Sequence, residues 1–536
     1  MICCCETPAD TVAPEPVLAQ NWRESLGDDE LSLEDAKPTP ELSATGQGPA
    51  GKGLDVSPYE DVIPSPGSTS RPLALELATG QKLRATCLYH TLESFGFHFA
   101  VSSLATASFT SEQADKLYLK SYDTENVQVF ISHCWRDKRF PKLVALWIRF
   151  NLYPALLCSS IVGAIVFVAS LSKQRVEEDE MMTPSVLLAG VGTFFLSLAF
   201  WHHVPFRLGC RQSSLFFDKL CVYQYESDLR QQGIDSFAAY IAKCDEILVL
   251  WSPEYFTRLW CTLEMAALVK THADSGKLPL YFMPLGLAKA AFLSWISLAL
   301  LCLARELQIL LDTFYWMADF VVLTPLLILN ALIFGLAIDR YAQARRSLTN
   351  QLETFDVRES RCAFESDRET VYHTIREWFT DLDGFNNNVR LHVRDHVANS
   401  LGWEFHFPKR LTFPPMLFSI FAQLDKIAAG DFEDQTMFKI FAFIADIARL
   451  GALIPIFILL SYCFAKMGRR WLAFILFVIC AWCLQSFLTF GEQVLHEGTP
   501  VWLCLLEVAS QWVTYLLTVK ASWIADAVLS RCILGG

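Results

Sequence analysis

The stretch YFTRLWCTLEMAALV, residues 255–269, contains a single acidic residue, Glu264. Leucine, methionine and alanine side chains recur around it at the spacing of a helix that buries one face. Trp260 precedes Glu264 by four residues, so the two side chains lie on the same side of the predicted helix. Glu264 is therefore either a solvated helix position or a catalytic acid held beside an aromatic ring. Trp260 is more typical of core packing than of chemistry.

The elements that would position Glu264 alternate between strands and helices. Short apolar runs rich in β-branched and aromatic residues predict strands in VQVFIS (127–132), LFFDKLCVY (215–223), EILVLWS (246–252) and LPLYFMP (278–284). One helix is predicted in IDSFAAYIAKC, residues 234–244, and another begins near Thr257. This alternation predicts an α/β unit built on a parallel sheet.

Polar residues at the ends of these strands resemble the motifs of the TIR (Toll/interleukin-1 receptor) domain. That family begins with a strand of the form F-[IL]-S and a loop that ends in Asp. A second strand containing Asp is followed by a loop closed by Gly and Ile, and a later strand ends in Ser before a Tyr and W-C-x-x-E. The matching positions are Phe130, Ile131, Ser132, Asp137, Asp218, Gly233, Ile234, Ser252, Tyr255, Trp260, Cys261 and Glu264.

The middle stretch also resembles fungal heterokaryon-incompatibility (HET) domains, which are similar to TIR domains in fold. Their signature D-x-x-C-[IV]-x-Q matches at Asp218, Cys221 and Gln224. Together the likenesses extend over residues 127–140 and 207–283. They imply an α/β flavodoxin-like (TIR-like) parallel sheet domain, interrupted by a transmembrane hairpin where the family has its first helix.

The resemblance implies where a ligand would bind and what would happen to it. Ligands of such sheets bind at the carboxyl ends of the strands, so Ser132 and the loop 223–234 would flank a crevice that Glu264 approaches. Active TIR relatives cleave the N-glycosidic bond of NAD+, and a glutamate at the position of Glu264 is essential to them. Loss of nicotinamide gives the ribose oxocarbenium character, which a nearby carboxylate stabilises. NAD+ would be a substrate, and no resident cofactor is expected.

Glu264 is the catalytic candidate, and seven residues are candidates for binding NAD+. They are Ser132, His133, Trp135, Asp218, Tyr223, Gly233 and Trp260. Trp135 or Tyr223 would stack on nicotinamide or adenine, and Asp218 would either bind ribose or order its own loop. His133 would line the pocket or lie solvated in a loop. Gly233 would supply an unusual backbone angle.

The composition predicts a multipass membrane protein. Hydrophobic residues make up 53% of the 536 positions, more than in ordinary soluble proteins. Several nearly uncharged blocks of about 20 residues are long enough to cross a bilayer. The predicted transmembrane hairpins are 141–206, with spans 144–171 and 184–204, and 284–338, with spans 285–303 and 315–337. The predicted C-terminal region 436–521 contains spans 438–464, 471–491 and 501–520, and a tail, 522–536, follows.

The N-terminal part of the chain differs in character from the rest. Residues 1–75 contain 13 Asp and Glu against 4 Lys and Arg, which predicts a disordered acidic tail. A lead-in segment, 76–126, connects it to the TIR-like domain. The net charge of −13 and the lack of a basic patch argue against nucleic-acid binding. The cysteines of MICCCE are candidates for S-acylation, which would tether the acidic tail to a membrane. Membrane lipid is therefore an expected partner of this tail as well as of the predicted spans.

Lys and Arg flank the first predicted hairpin, which favours a cytoplasmic TIR-like domain without identifying the membrane. A polar linker region, 339–435, is assigned to the same side. The basic stretch AKMGRRW, 465–471, would then face outward, against the positive-inside rule. A re-entrant piece such as LTFPPMLFSIF, residues 411–421, would remove that conflict.

No metal site is expected. Cys480 and Cys483 form a C-x-x-C pair inside an apolar span and are interpreted as buried thiols. His392 and His396 lie four positions apart but have no evident third ligand. The asparagine run at 386–388 is predicted to be a loop.

The resemblance, together with the apolar spans, implies a membrane-anchored TIR-like signalling protein that acts by self-association. Glu264 would hydrolyse NAD+ to nicotinamide and ADP-ribose. Two alternatives remain open, a non-catalytic membrane scaffold or adaptor and a channel or transporter with a TIR-like regulatory domain. Transport would use charged residues inside the predicted spans, such as Asp446 and Glu507.

Overall fold

The computed structural model describes residues 73–77, 82–100, 110–174, 185–210, 212–272, 278–310, 329, 340–341, 343–362, 365–401 and 408–428. The predicted C-terminal spans and tail, the fourth span except for one residue, and the acidic tail up to residue 72 lie outside these ranges. Asp446, Glu507 and the Cys480–Cys483 pair lie outside them as well.

Six strands form one mixed sheet. They are β1 (Leu83–Thr86), β2 (Ser121–Thr124), β3 (Val127–His133), β4 (Leu215–Phe216), β5 (Cys244–Trp251) and β6 (Leu280–Pro284). The strand order is β2-β1-β4-β3-β5-β6. The four strands from β4 to β6 are parallel, whereas β1 pairs antiparallel with both β4 and β2. The predicted α/β unit is confirmed, and the lead-in segment adds an antiparallel edge that was not predicted.

Helices connect and cover these strands. In chain order they are α1 (Leu88–Gly96), α2 (Ser111–Tyr118), α3 (Arg139–Leu146), α4 (Leu152–Gln174), α5 (Val186–Phe200), α6 (His203–Arg207), α7 (Asp218–Cys221), α8 (Ser227–Asp235), α9 (Phe237–Ala242), α10 (Leu259–His272), α11 (Leu285–Leu310), α12 (Glu365–Phe379), α13 (Leu382–Asn388), α14 (Arg394–Leu401) and α15 (Phe413–Ala428).

Buried side chains of β5 alternate between two cores, one on each face of the sheet. Ile247, Val249 and Trp251 pack with α9, α10 and α12 to α14. Leu248 and Leu250 pack with α3, α11 and the beginning of α4. The sheet is therefore covered on both faces, as expected for parallel strands.

The first predicted hairpin begins inside the α/β unit. Residues Arg139–Ser172 form one helix that contains α3, a π turn and most of α4. Lys142 Nζ lies 3.5 Å from His133 Nδ1 at the carboxyl end of β3. Farther along, Arg149 Nη2 binds Glu246 Oε1 at 2.9 Å near the start of β5. The helix thus runs opposite to the strands and leaves the sheet at its amino edge.

Two described helices are long and apolar enough to cross a membrane, Arg139–Ser172 and Leu285–Ala304. They coincide with the first and third predicted spans. The second predicted span, 184–204, is a shorter apolar helix of 15 residues, α5, followed by the separate helix α6. A stripe of exposed apolar side chains runs along α4, at Tyr153, Leu157, Ile161, Ile165 and Val168.

The predicted linker region contains helices that pack on the sheet domain. The Arg361 N–H donates to the Thr257 carbonyl at 2.7 Å, and the Leu259 N–H donates to the Arg361 carbonyl at 3.1 Å. The predicted loop at 386–388 is wrong, because these residues end helix α13. Buried Asn386 accepts a hydrogen bond from the Val357 N–H at 3.0 Å, which joins two segments of this layer.

Candidate functional site

Ser132, Tyr255 and Glu264 form a buried polar cluster at the carboxyl ends of the parallel strands. Ser132 is the penultimate residue of β3 and lies opposite Val249 of β5. Its hydroxyl donates to Glu264 Oε2 and lies 2.5 Å from the Tyr255 hydroxyl. Ser132 and Tyr255 are fully buried, and Glu264 is 8% exposed. The cluster therefore joins the end of β3 to helix α10 through three hydroxyl and carboxyl groups.

The acidity of Glu264 differs strongly from that of an exposed glutamate. Burial raises the pKa of Glu264 to about 8, against the opposing effect of the hydrogen bond from Ser132. At neutral pH the side chain is therefore mainly the neutral acid, because ionisation would place a charge in a nearly dry site. A cation bound against it would favour the carboxylate. Carboxyl groups of this kind cluster at functional sites.

His133, Trp135 and Asp218 form a second polar group beside the first. The Trp135 Nε1–H donates to Asp218 Oδ2 at 2.5 Å, and His133 Nε2 lies 3.5 Å from Asp218 Oδ1. His133 is only 5% exposed, since its ring packs against Phe99 and Phe217. The expectation of a solvated loop histidine is wrong, because β3 continues through this residue. Burial lowers the pKa of His133 to about 4, so the ring is neutral at pH 7.

Asp218 orders the chain that follows β4. Burial disfavours its ionised form, but the nearby His133 ring, the charge of Lys219 and the hydrogen bond from Trp135 lower the pKa of its carboxyl. The Lys219 N–H donates to Asp218 Oδ1 at 2.8 Å, and Gln224 Nε2 donates to the Asp218 carbonyl at 3.1 Å. Asp218 Oδ1 therefore orders its own loop, as one of the two interpretations predicts, while Oδ2 accepts the hydrogen bond that holds the Trp135 ring in place.

Two buried lysines lie around this second group, and the motifs did not single them out. Lys142, on α3, approaches His133, and Lys219 lies with its ammonium 5.0 Å from the centre of the Trp135 ring. Burial lowers the pKa of Lys219 to about 8, against the attraction of Asp218. For Lys142, the sequence signal was a lysine near the start of a largely apolar helix, within residues assigned to the hairpin insertion.

Two buried polar atoms near these groups have no hydrogen-bond partner among the described residues. Burial raises the pKa of the Asp137 carboxyl, against the hydrogen bond from Ser252. Asp137 Oδ2 and Arg258 Nε are both buried atoms with no hydrogen-bond partner in the described part of the chain. These two groups offer an acceptor in the loop after β3 and a donor directly before helix α10.

Tyr223 and Gly233 have other structural roles than those predicted. The Tyr223 hydroxyl donates to Asp115 Oδ1 at 2.8 Å, and its ring meets Tyr118 edge-on. Gly233 lies inside helix α8, so the predicted loop and unusual backbone angle are wrong there. A Cβ on Gly233 would come within 2.6 Å of Val222 Cγ1, so glycine is needed for close packing.

Trp260 connects helix α10 to the C-terminal helices. Its Nε1–H donates to Asp367 Oδ2 of α12 at 3.1 Å. The indole is partly buried and packs against the core on that face of the sheet. This contact favours the core-packing interpretation of Trp260.

The described residues contain no group of three or more His, Cys, Asp and Glu side chains placed to hold a metal. His396 Nε2 instead lies 3.1 Å from the Leu280 carbonyl oxygen. Comparison with protein-family models, with curated proteins and with solved structures gives no match to this chain. The function is therefore argued from the chemistry of the site.

Proposed function

We propose that this protein is a membrane-anchored, TIR-like signalling protein that self-associates and cleaves NAD+ to nicotinamide and ADP-ribose. One observation carries the proposal. Glu264, on the helix after β5, hydrogen-bonds Ser132 at the end of β3, where the matched motifs converge.

The strand order supports the proposal. Taken in chain order, the four parallel strands lie as second, first, third and fourth across the sheet. This is the arrangement of flavodoxin-like sheets, whose topological switch point lies between the first and third parallel strands. In this sheet those strands are β3 and β5, and Ser132 lies at the end of the one while Ser252 follows the other. Ligands of such sheets bind outside the carboxyl ends at that point.

The proposed chemistry uses Glu264 as the group that meets developing positive charge. Substrate binding would place the cationic nicotinamide ribose against the carboxyl, which favours its ionised form. As the bond between C1′ and the nicotinamide nitrogen breaks, its electron pair leaves with nicotinamide and the ribose becomes oxocarbenium-like. The carboxylate stabilises that charge. Water then bonds to C1′ and releases a proton, which gives ADP-ribose.

Neighbouring residues would hold the substrate in this scheme. Trp135, fixed by Asp218, is the partly exposed aromatic at the rim and would stack on a base. Asp137 Oδ2 would accept from a ribose hydroxyl, and Arg258 would donate to a phosphate or ribose oxygen. Ser132 would keep Glu264 in place through its hydroxyl.

Anchoring would serve self-association. The two apolar helices leave the sheet at its amino edge, whereas the Glu264 cluster lies at the carboxyl edge. The crevice would therefore face away from the bilayer and stay open to cytoplasmic NAD+. Confining copies to a membrane raises their effective concentration for assembly.

A non-catalytic scaffold is the second candidate, favoured by the closed packing of the cluster. Ser132 and Tyr255 have no exposed surface, and Glu264 is nearly buried in its neutral form. Such a network also stabilises a fold without chemistry. In a scaffold, the domain recruits partners and Glu264 only holds α10 against β3.

Nicotinamide release from NAD+ by the purified full-length protein separates these candidates. The test compares wild type with Glu264→Gln, which retains the side-chain shape, and with Glu377→Gln, an exposed glutamate on α12. Catalysis predicts release by wild type and Glu377→Gln and none by Glu264→Gln, with equal assembly on size-exclusion chromatography. Release by Glu264→Gln at the wild-type rate would exclude Glu264 as the catalytic group. Absence of release from assembled wild type would favour the scaffold.

A further inference from the structure

Helix α15 lies antiparallel to the hairpin helix α5 along residues 186–195. Contacts between them recur about once per turn, and the residue numbers rise in one helix as they fall in the other. From the sheet outward, the contacts pair Phe418 with Phe194, Phe421 with Gly190, and Asp425 with Val186. Because α5 runs toward the sheet, α15 runs away from it.

The ring of Phe421 is held between the two helices of the hairpin. A Cβ on Gly163 of α4 would come within 2.4 Å of Phe421 Cε1, and one on Gly190 of α5 within 2.3 Å of Cε2. Only glycine at both positions leaves room for the ring. Small residues that admit a close neighbour are the usual interface of helices packed in membranes.

Asp425 caps the end of α5 that is farthest from the sheet. Its carboxylate accepts from the Val186 N–H at 2.6 Å, the Leu187 N–H at 2.8 Å and the Ser185 hydroxyl at 2.8 Å. The two N–H groups are donors that a helix leaves unsatisfied at its first turn, and the helix dipole favours an anion there. The C-terminal end of α15 therefore lies beside the first turn of α5.

The other end of α15 lies at the amino edge of the sheet. The Trp295 Nε1–H donates to the Leu411 carbonyl at 3.1 Å, and the Arg410 guanidinium lies 5.3 Å from the centre of the Tyr281 ring near the start of β6. With the 3-10 turn Lys409–Thr412, the 16-residue helix is about 30 Å long. Its uncharged part, residues 411–424, spans about 22 Å. This is shorter than an average hydrocarbon core, a mismatch that a bilayer accommodates by local thinning.

We propose that helix Phe413–Ala428 is an additional membrane-crossing helix, which carries the chain to the membrane face opposite the α/β unit. The inference rests on the membrane anchoring in the proposed function. Residues 413–424 contain no Asp, Glu, Lys or Arg, while Lys409 and Arg410 precede them and Asp425 follows. This distribution agrees with the positive-inside rule.

The extra crossing changes the orientation of everything that follows. The span predicted at 438–464 would then return the chain to the side of the α/β unit, and the basic stretch 465–471 would lie on that side. The conflict of that stretch with the positive-inside rule disappears. The last two predicted spans, 471–491 and 501–520, would cross out and back, and the predicted tail 522–536 would then be cytoplasmic.

Glycosylation mapping of the full chain tests the crossing. A flexible Gly/Ser insert with one Asn-x-Thr acceptor is placed after Glu178, after Ser275 or after Gly430, and each protein is translated with endoplasmic-reticulum microsomes. The natural sequence has no Asn-x-Ser/Thr acceptor, so each mass shift that a deglycosylase reverses reports its own insert. We expect modification after Glu178 and Gly430 and none after Ser275.

The inference requires that the inserts after Glu178 and Gly430 give the same result and that the insert after Ser275 gives the opposite one. Modification after Glu178 without modification after Gly430 would overturn the crossing and leave the hairpin anchored. The same result at all three positions would overturn the crossing together with the membrane anchoring. Glycosylation mapping does not measure nicotinamide release, so its outcome does not test the catalytic proposal.

Discussion

The Glu264 carboxyl accepts a hydrogen bond from Ser132, which lies 132 positions earlier in the sequence. The hairpin helices and strands β4 and β5 lie between the two residues along the chain. Their contact brings the first and the last matched motif together at one edge of the sheet. The hydrogen bond from Ser132 lowers the pKa of Glu264, while burial raises it. Measurements across a range of pH therefore test both effects on Glu264.

The pH dependence of NAD+ cleavage should report the ionisation of Glu264. If the carboxylate is the active form, kcat/KM for nicotinamide release should rise about tenfold per pH unit at low pH. It should level off above the pKa of Glu264, about 8. Measurement across neutral and mildly alkaline pH shows this limb, and a profile that falls through the same range would contradict the assignment.

Ser132→Ala should move the rising part of the pH profile of kcat/KM to higher pH. The variant removes the hydrogen bond that lowers the pKa of Glu264, so fewer molecules carry the carboxylate at neutral pH. We expect roughly tenfold slower nicotinamide release at pH 7, for a shift of about one pKa unit. Tyr255→Phe is the matched control, because it leaves the Ser132–Glu264 bond in place. Equal limbs in the two variants would contradict the predicted role of Ser132.

Glu264→Gln should change how stability depends on pH. The pKa of Glu264 in the folded protein is about 8, above its ordinary value of 4.5, so the folded state keeps a proton that the unfolded chain releases. Stability therefore decreases as pH rises between these two values, by up to about 1.4 kcal/mol per pH unit.

Glutamine cannot ionise, so the Tm of Glu264→Gln should gain on the wild-type Tm as pH rises from mildly acidic to mildly alkaline. Thermal unfolding of the detergent-solubilised protein measures the gap between the two. Glu377→Gln, at an exposed position, should follow wild type throughout. A Tm gap that is independent of pH would mean that burial does not raise the pKa of Glu264.

Gly233→Ala should destabilise the sheet domain by about 1–3 kcal/mol, because the new methyl group meets Val222 at 2.6 Å. Val222→Ala removes the obstructing Cγ atoms. The double variant should therefore lose less stability than the sum of the two single variants. Denaturant unfolding of all four proteins measures this coupling. Strict additivity would exclude the close packing of α8 on Val222.

Gly190→Ala and Gly192→Ala form a matched pair on helix α5. A methyl group on Gly190 would meet the Phe421 ring at 2.3 Å, whereas one on Gly192 has nothing within 4 Å. Gly190→Ala should lower the Tm and loosen α15, while Gly192→Ala should be neutral or slightly stabilising, since alanine favours helices by about 1 kcal/mol over glycine. Equal Tm values would contradict the packing of Phe421 against α5.

Parts of the fold were predictable because the residues that form them are local in sequence. β5 and β6 are apolar runs, and their pattern predicts strands within a few residues of the observed bounds. β4 is only two residues long, because the chain turns into α7 at Asp218. β1 and β2 are short strands with polar residues, so their formation depends on pairing with each other, and of β1 with β4, rather than on a strong pattern.

The candidate site was predictable in its residue types and only partly in its geometry. Motif spacing singled out Ser132, Asp218 and Glu264, which lie near the carboxyl ends of the parallel strands. It did not predict that Tyr255 would bind Ser132, or that Lys142 from the hairpin helix would approach His133. Those contacts depend on how the helices pack across the sheet. The spacing of residues within one segment carries no information about that packing.

The sequence by itself determined the apolar helices, the alternation of strands and helices and the motif residues, because each depends on composition and short-range periodicity. Tertiary structure alone decided that α3 and α4 form one continuous helix and that α15 fits between glycines of α4 and α5. It also decided that burial, with a hydrogen bond from Ser132, sets the acidity of Glu264. Desolvation and close packing arise between segments distant in the chain, so they exist only once the chain is folded.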